Sequence, residues 1–574
     1  MKLYKLIIKN FRGLKGEHNE IKYEDSNILF LIGQNNVGKS TYLRAYEYFV
    51  TSKQVANITD FNDQNTSVPI EMEGWFIKED FDDDDEDYKS KDPDWIVKWA
   101  DVDNLIKIKK VWSVLGKSFD KYSYSPQEGK WVKGGFGGFD SLFQKAAPKP
   151  IAINAMEDEE TLNEKVNKLM QDKYLKQVRT SHPDLYKEAI EKIQQLEDAI
   201  TSTEEMQKLN TELNEHFQSV FSNLSLRIEA NNASNIKIED LFKKNHTISV
   251  ERPNASRKET FLQNGHGIIR QALFNFVTFL KDISAGTNKE YLILYEEPEL
   301  FLHPKVAFKL RECLYDLAEN SPYQILCATH SPLMIDISKP HSSLIRVVKD
   351  NQENTQIYQV GQDVFGKDDE RKERVQMVNR FNPHVCESFY ADKVILVEGD
   401  TEAIVYRALL KEYYPEEEVF VLNTGSKFNM PFFQEILTAF HIEHCVIHDV
   451  DTELNKKNNK RNAAWAMNQQ IWDLVEKANA IQLGLARRYV HNANFENAHK
   501  YNLLSGKDKP LQASKFVNKV IRGEIINPDC KKWLDDIMRS KSIIHDMDYI
   551  NRVKKSKEDI KKEESSYCSL DEEE

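Results

Sequence analysis

Residues 27–49 read NILFLIGQNNVGKSTYLRAYEYF. An apolar run of strand character, Ile28 to Ile32, leads into Gly33, and Gly38-Lys39-Ser40 then opens a helical pattern. This is G-x-x-x-x-G-K-[ST] in the strand–loop–helix setting that the motif requires. Glycines let successive backbone N–H groups turn inward around phosphates, and the helix N-terminus adds its positive end. The stretch predicts a nucleotide cradle built from Gly33, Asn35, Asn36, Gly38, Lys39, Ser40 and Thr41. Lys39 is expected on the β- and γ-phosphates and the Ser40 hydroxyl on Mg²⁺. A Gly-rich turn without a ligand is the alternative, so the rest of the chain has to show what work a nucleotide would do.

The chain has 574 residues, too many for one ordinary domain, so two to four are expected. With 40% hydrophobic and 30% charged residues it has the composition of a soluble globular protein with solvated helical faces. No run of about 18 apolar residues supports a membrane span. The opening MKLYKLIIKNFRGLKG alternates like a strand and has no long apolar signal core. Six cysteines, at 313, 327, 386, 445, 530 and 568, lack CxxC spacing, which argues against zinc and against a disulfide framework. A cytoplasmic protein without membrane partners is expected. The net charge of −14 lowers the expectation of a nucleic-acid partner, but much of the excess sits in DDDDED (82–87) and the tail ending SLDEEE. Both read as solvated, and a local basic groove or bound metal ions would still admit DNA.

Residues 1–150 read as strands and turns, and the Lys/Glu-rich stretch from about 158 to 223 as long helices broken near SHPD. Strand character then returns, with apolar YLILYEE and YQILCATH among the later strands. A second unit alternates strand and helix, KVILVEG, TEAIVYRALLKEYY, EVFVLNTG, MPFFQEILTAF and EHCVIHDVD, which predicts a small parallel sheet. From about Asn462 onward the pattern is mostly helical. The expected division is an ATPase domain at 1–157 and 224–385 split by a helical insertion at 158–223. A metal-binding α/β domain follows at 386–510, then a helical region at 511–555 and an acidic tail at 556–574. The insertion has the character of a dimerisation arm.

Four later pieces narrow the ATPase. LILYEEPELFLHP is a buried strand ending in Glu296, placed to meet Mg²⁺ through water, and Glu297, placed to polarise the attacking water. ILCATHSP ends a second strand at His330, a candidate γ-phosphate sensor. NGHGIIRQ, with Asn264, Gly265 and Gly267, resembles a degenerate ABC signature in which Asn264 replaces the usual serine. IKNFRGL resembles the opening strand of ATPases of the RecF and SMC type. An ABC-type site is completed by the signature of a partner subunit, so a homodimer or homotetramer is expected.

A second constellation is acidic. VILVEGDTEA places Glu398 just past a strand end and Glu402 one turn into the next helix. CVIHDVDTE ends a later strand with Asp449 and Asp451, whose alternation would turn both to one side. At the C-terminal edge of a parallel sheet these four carboxylates would form an oxygen-rich site for Mg²⁺ or Mn²⁺. Packed anions repel, and a divalent cation is the natural compensation.

The VEGxTE…DxD pair resembles a Toprim domain. An ABC-type head with a helical insertion followed by Toprim resembles the OLD (overcoming lysogenization defect) family of nucleases, including the Gabija-type defence nucleases, over roughly residues 1 to 510. The fold class expected is α/β: a RecF/SMC-like ABC ATPase head, a Toprim domain and a helical C-terminal region. The resemblance implies metal-dependent cleavage or nicking of DNA, self-assembly through the ATPase region, a role in anti-phage defence and a possible helicase or retron partner. It puts Glu398, Asp449 and Asp451 on one metal, and Glu402 with Glu496 on a second, with Glu496 offered by NANFENA. Gly425 and Lys427 resemble the family's Gly-Gly-Lys segment, and Lys507 and Lys509 are candidates to neutralise developing charge. Where relatives carry a Ser and an Asp ahead of the late Glu, this chain has His491 and Asn494; His491 would favour Mn²⁺ or be incidental, and His448 is read as structural. The leading function is an ATP-regulated DNA endonuclease. The alternative is a nucleotide-gated DNA-binding or sensor ATPase with weak or no nuclease activity. A topoisomerase would need a strand-passing domain that this length does not readily house, and no polymerising context for a primase is found.

Overall fold

The computed structural model describes residues 1–16, 19–78, 98–136, 146–155, 291–361, 383–451, 462–491, 494–496, 498–499 and 508–539, with a few isolated positions and two short strands between. The ABC-like signature (264–271), the strands expected between 224 and 246, nearly all of the helical insertion, the acidic run at 82–87, Lys507 and the C-terminal tail lie outside the described residues. The chain divides into two compact units, Met1–Ala155 with Ser284–Glu574, and Met156–Ile283. In the second unit the described strands are β9 (Ser249–Val250) and β10 (Glu259–Thr260), an antiparallel pair.

In the first unit, β1 (Lys2–Lys9), β2 (Glu20–Lys22), β4 (Ile70–Ile77), β5 (Leu105–Trp112), β6 (Asp120–Ser125) and β7 (Lys130–Lys133) form an antiparallel sheet in the order β2-β1-β4-β5-β6-β7. Alternation decides which face it buries: Ile70, Met72 and Phe76 of β4 point inward while Glu71, Glu73 and Trp75 do not. The second sheet has the order β14-β13-β3-β12-β11-β8. It comprises β3 (Ile28–Ile32), β8 (Lys149–Ile153), β11 (Tyr291–Glu296), β12 (Gln324–Thr329), β13 (Leu344–Lys349) and β14 (Thr355–Gln359). All pairings in it are parallel except β13 with β14. Strand β3 is buried along its whole length, as a strand covered on both faces must be.

Helix α1 (Lys39–Val50) turns Tyr42, Leu43, Ala45, Tyr46 and Phe49 into the apolar core that both sheets share, against Leu29, Leu31, Phe76 and Leu294. Phe30, between Leu29 and Leu31, faces the other way and meets Tyr315 of α2 (Pro304–Glu319), with ring centroids 5.4 Å apart. This sandwich fixes the P-loop at the C-terminal end of β3, the edge where ligands bind in open α/β sheets.

The C-terminal part is a four-stranded, wholly parallel sheet of order β16-β15-β17-β18. Its strands are β15 (Lys393–Val397), β16 (Val419–Asn423), β17 (Glu443–Asp449) and β18 (Ala486–His491). Helices α3 (Asp400–Tyr413), α7 (Lys509–Ile521) and α8 (Asp529–Arg539) share one apolar cluster with it through Val405, Tyr406, Phe516 and Trp533. Helices α4 (Met430–Ala439) and α5 (Ala463–Ile481) pack on each other and on β17 and β18. A single turn, α6 (Phe495–Ala498), follows β18.

The strand–helix alternation expected from 389 to 451 is the one observed. After Asn462 the described residues are mostly helical, as expected, but they include the unexpected strand β18, whose ARRYVH sequence looks exposed. Arg487 and Arg488 are nonetheless buried. Arg488 donates to the Asn468 carbonyl (2.8 Å) and lies 4.7 Å from the Trp472 ring. Arg487 reaches Glu443 at 3.3 Å. Partnered guanidinium groups can be buried where lone ones cannot.

Within the first unit, Arg346 of β13 ties the head to the parallel sheet. It donates to the carbonyls of Phe440 (3.1 Å) and Ala391 (3.0 Å) and to Asp392 (3.0 Å). Tyr358 of β14 stacks on His441 at 4.1 Å. Among the described residues, no helix is long and apolar enough to cross a membrane.

Candidate functional site

Two acidic sites sit at the C-terminal edges of the two parallel sheets. At the first, the P-loop is held by steric necessity. Gly33 has φ 153°, and a Cβ there would lie 2.2 Å from the Val347 carbonyl oxygen. Gly38 has φ 105°, and a Cβ would come 2.8 Å from Thr355 Oγ1. Thr355 itself donates to the Val37 carbonyl at 2.9 Å, locking β14 onto the loop.

Lys39 is buried and folds back on the loop, donating to the carbonyls of Gly33 (2.9 Å) and Gln34 (2.7 Å). Burial lowers its pKa, opposed by the charges of Glu297, Glu299 and Glu296. Reaching phosphate therefore means exchanging two carbonyls for anionic oxygens, a favourable trade for an ammonium. Ser40 hydrogen-bonds Glu296, so the two expected Mg²⁺-side groups are adjacent. Glu297 contacts His330, which joins the expected base and the expected sensor. Glu297 also holds a left-handed backbone (φ 49°), a conformation that non-glycine residues adopt at a cost of about 1 kcal/mol. Asn35, Asn36 and Thr41 lie in the loop and first helical turn, as the motif requires.

One residue of this site was missed. Glu299 is mostly buried, accepts from the Thr329 hydroxyl at 2.6 Å and stands 3.8 Å from His330 Nδ1. Burial raises its pKa, and the Thr329 hydrogen bond opposes that shift. Glu297, Glu299 and His330 could hold a cation between them. The signal was present, since EEPE places a third acid beyond the pair, but Pro298 and the turn after β11 hide its direction.

The second site is assembled by β15, β17, β18 and α3. Glu398 follows β15, Glu402 lies in the first turn of α3, Asp449 ends β17 and His491 ends β18. Strand register sets Asp449 directly beside His491. Ligand atoms of Glu402, Asp449 and His491 lie within 4.8 Å of one another.

The electrostatics are those of packed acids. Burial, with the charges of Asp449 and Asp451, raises Glu398 to about 7. Burial, with Asp449, Glu398 and Glu496, raises Glu402 to about 8. Asp449 is pushed well above the carboxylate range by burial, Asp451 and Glu496. Buried oxygens of Glu398 (Oε2) and Asp449 (Oδ1) have no hydrogen-bond partner. His491 is fully buried, and burial lowers it to about 3, so its ring is neutral. A divalent cation would satisfy these atoms, and the donor set fits one.

Asp451 departs from the expected alternation. Strand β17 ends at Asp449, and Asp451 adopts φ 63°. The turn sends its carboxylate to Lys427, whose ammonium donates to Asp451 Oδ2 (2.7 Å) and to the Asp449 carbonyl (2.5 Å). Lys427 is buried, positioned by a 3-10 turn that Ser426 caps. Gly425 precedes it with φ 71°. Glu496 is in α6 and accepts from Lys509 at the start of α7 (3.2 Å). Asn494 immediately precedes α6. His448 is fully buried, with Nδ1 2.8 Å from the Asp449 carbonyl oxygen.

The AAA ATPase domain family matches residues 1–107 and 98–335. The overcoming lysogenization defect protein-like TOPRIM domain family matches residues 389–451. The Old nuclease of Escherichia phage P2 is 22% identical over 543 residues, which cover 88% of this chain and 86% of that protein. Endonuclease GajA of Bacillus cereus is 22% identical over 483 residues, covering 80% of this chain and 76% of that protein. A crystal structure of an SMC head bound to the C-winged helix domain of ScpA covers 63% of this chain and 98% of its own, at 12% identity and a TM-score of 0.37. The chain belongs to the AAA ATPase domain family and carries, after that ATPase, a Toprim domain of the overcoming-lysogenization-defect type, the arrangement of a metal-dependent nuclease with an ATPase domain.

Proposed function

We propose that the protein is a DNA endonuclease whose Toprim site cuts or nicks DNA with bound divalent cations and whose ATPase head governs when it does so. The observation that carries the reading is the gathering of Glu398, Glu402, Asp449 and Asp451 at one sheet edge, with buried oxygens of Glu398 and Asp449 left unpartnered. Glu398, Asp449 and Asp451 would hold one Mg²⁺ or Mn²⁺, and Glu402 a second with Glu496. Such a pair supplies an activated water and a stabilised leaving oxygen when bound. Lys427 keeps the Asp449–Asp451 turn in place and balances one negative charge. Lys509, exposed and paired with Glu496, is free to swing toward a scissile phosphate.

In the head, Lys39, Ser40, Glu296, Glu297 and His330 would bind and turn over ATP, with Asn264, Gly265 and Gly267 of a partner subunit closing the site in a dimer or tetramer. Regulation is supported by a physical link. Gln34 of the P-loop donates to Glu418 beside β16 (3.0 Å). At the far end of β16, Asn423 donates to Asp400 of the helix that carries Glu402 (2.7 Å). Lys39 uses the Gln34 carbonyl, so nucleotide binding would disturb the first contact of that series. Its resemblance to the overcoming-lysogenization-defect family supports a role for this activity in anti-phage defence.

The test is plasmid nicking by the full chain in Mg²⁺ and in Mn²⁺, with ATP and a non-hydrolysable analogue titrated in. Metal-dependent nicking that changes with nucleotide is expected. No cleavage with either ion leaves the sensor reading standing, and a rate indifferent to nucleotide removes the gating.

A further inference from the structure

We propose that His491 is a metal ligand, so that one cation of the Toprim site is held by Glu402, Asp449 and His491, a mixed oxygen and nitrogen set that selects a first-row transition ion over Mg²⁺. The inference rests on the reading of this edge as a divalent-cation centre and adds an imidazole to the carboxylates that hold the Glu402 cation.

Three observations carry it. First, His491 Nδ1 lies 3.2 Å from Asp449 Oδ1, yet both ring nitrogens and that oxygen are buried without a hydrogen-bond partner. A buried polar atom left so costs about 1–3 kcal/mol, which a native site offsets with a partner. Second, the separation suits one cation touching both. Two neighbouring ligands at bonds of about 2.1 Å to one ion stand roughly 3 Å apart. Third, the ring is held in place by aromatic neighbours, with centroids 5.0 Å to Phe495, 5.4 Å to His499 and 4.8 Å to Trp533. None of these satisfies its nitrogens, so the pocket orients the imidazole toward the acids without neutralising it.

The chemistry then sets the ion. Mg²⁺ is a hard cation that keeps oxygen ligands and waters, whereas imidazole strengthens binding of first-row transition ions in the Irving–Williams order. A Toprim edge made of carboxylates alone would suit Mg²⁺. Adding His491 shifts the preference of that position toward ions such as Mn²⁺.

The probe is Mn²⁺, added to chelator-stripped, nucleotide-free full chain and read by pulsed electron paramagnetic resonance. Wild type is expected to show nitrogen modulation that changes from ¹⁴N to ¹⁵N when histidine is labelled. His491→Gln should lose it, with Mn²⁺ affinity falling at least about tenfold and Mg²⁺ affinity falling less. Mn²⁺ bound without a histidine coupling overturns the proposal, as does a coupling that survives H491Q. A coupling that vanishes instead in H330Q belongs to the ATPase site and also overturns it. If H491Q does not fold, the labelled wild type still reports whether an imidazole is bound, and H330Q, H448Q and H499Q assign it by elimination. Failure of wild type to bind Mn²⁺ in any Asp449-dependent way would instead bring down the cation-centre reading itself.

Discussion

The two acidic edges of this molecule are built from the same parts and differ in how far their acids are engaged. In the ATPase head each acid already engages a neighbour: Glu296 with Ser40, Glu297 with His330, and Glu299 with Thr329, only Oε2 of Glu299 staying buried without a partner among the acids described there. The lysine is turned onto loop carbonyls. At the Toprim edge the acids face one another, and the buried cation beside them, Lys427, is engaged by Asp451 and the Asp449 carbonyl. Glu398 and Glu402 then hold protons to about 7 and about 8. A site whose lysine and acids are mostly engaged with one another must be opened by its ligand, and so suits a switch. A site that cannot satisfy itself is preorganised for a cation, and so suits chemistry.

Breaking the acidic edge should have the largest effect. Asp449→Ala removes the carboxylate central to the cluster, and nicking in Mn²⁺ should fall by at least about 100-fold, since even outer-shell losses cost 10–100-fold. Plasmid nicking rates measure this, and full cleavage by the variant would mean the site is misassigned. Lys39→Ala should next abolish most ATP turnover, by about 100-fold or more, because it removes the ammonium that the P-loop offers to phosphate charge. Phosphate-release assays read it, and metal binding at the Toprim edge should be unaffected.

A smaller effect concerns pH. A carboxyl whose folded pKa is raised contributes stability below its unfolded value near 4.3, and loses it as pH rises through the folded value. For Glu398 and Glu402 that window closes at about 7 and about 8. Cations must displace these protons at pH 6 but not at pH 8.5. The gain in thermal midpoint that Mn²⁺ gives over chelator should therefore grow by several degrees from pH 6 to pH 8.5. It should be flat with pH in Asp449→Asn. Scanning calorimetry in matched buffers would show it, and a gain that shrinks with rising pH contradicts the electrostatic picture.

The smallest expected effect tests the link between the edges. Glu418→Ala removes one exposed hydrogen bond to Gln34, of about 0.5–1.5 kcal/mol, so the nucleotide response of nicking should weaken about threefold. An unchanged nucleotide titration would mean that the head communicates by another route.

How far the sequence carried this contrast depends on how each residue is placed. The P-loop was legible because its glycines are demanded by backbone geometry, and Glu398, Glu402 and Asp449 because each lies at or within one helical turn of a strand end. Asp451 was misdirected, since strand alternation was extended past Asp449 into a turn with φ 63°. Glu299 was passed over because the turn after Glu297 reverses the chain, which no periodicity reveals. Strand β18 was hidden by two arginines whose burial depends on Trp472, Asn468 and Glu443, partners distant in sequence. His491 could be named as an oddity, but its register beside Asp449 required that strand.

The most direct measurement of the division between switch and cutting edge crosses the two variants in one experiment. Nicking is followed in Mn²⁺ without nucleotide and with ATP, for wild type, Lys39→Ala and Asp449→Ala. Lys39→Ala should nick at the wild-type rate without nucleotide and no longer respond to ATP, while Asp449→Ala should not nick under either condition yet still hydrolyse ATP. Loss of nucleotide-free nicking in Lys39→Ala, with the fold intact, would contradict the account by making the ATPase part of the cutting step.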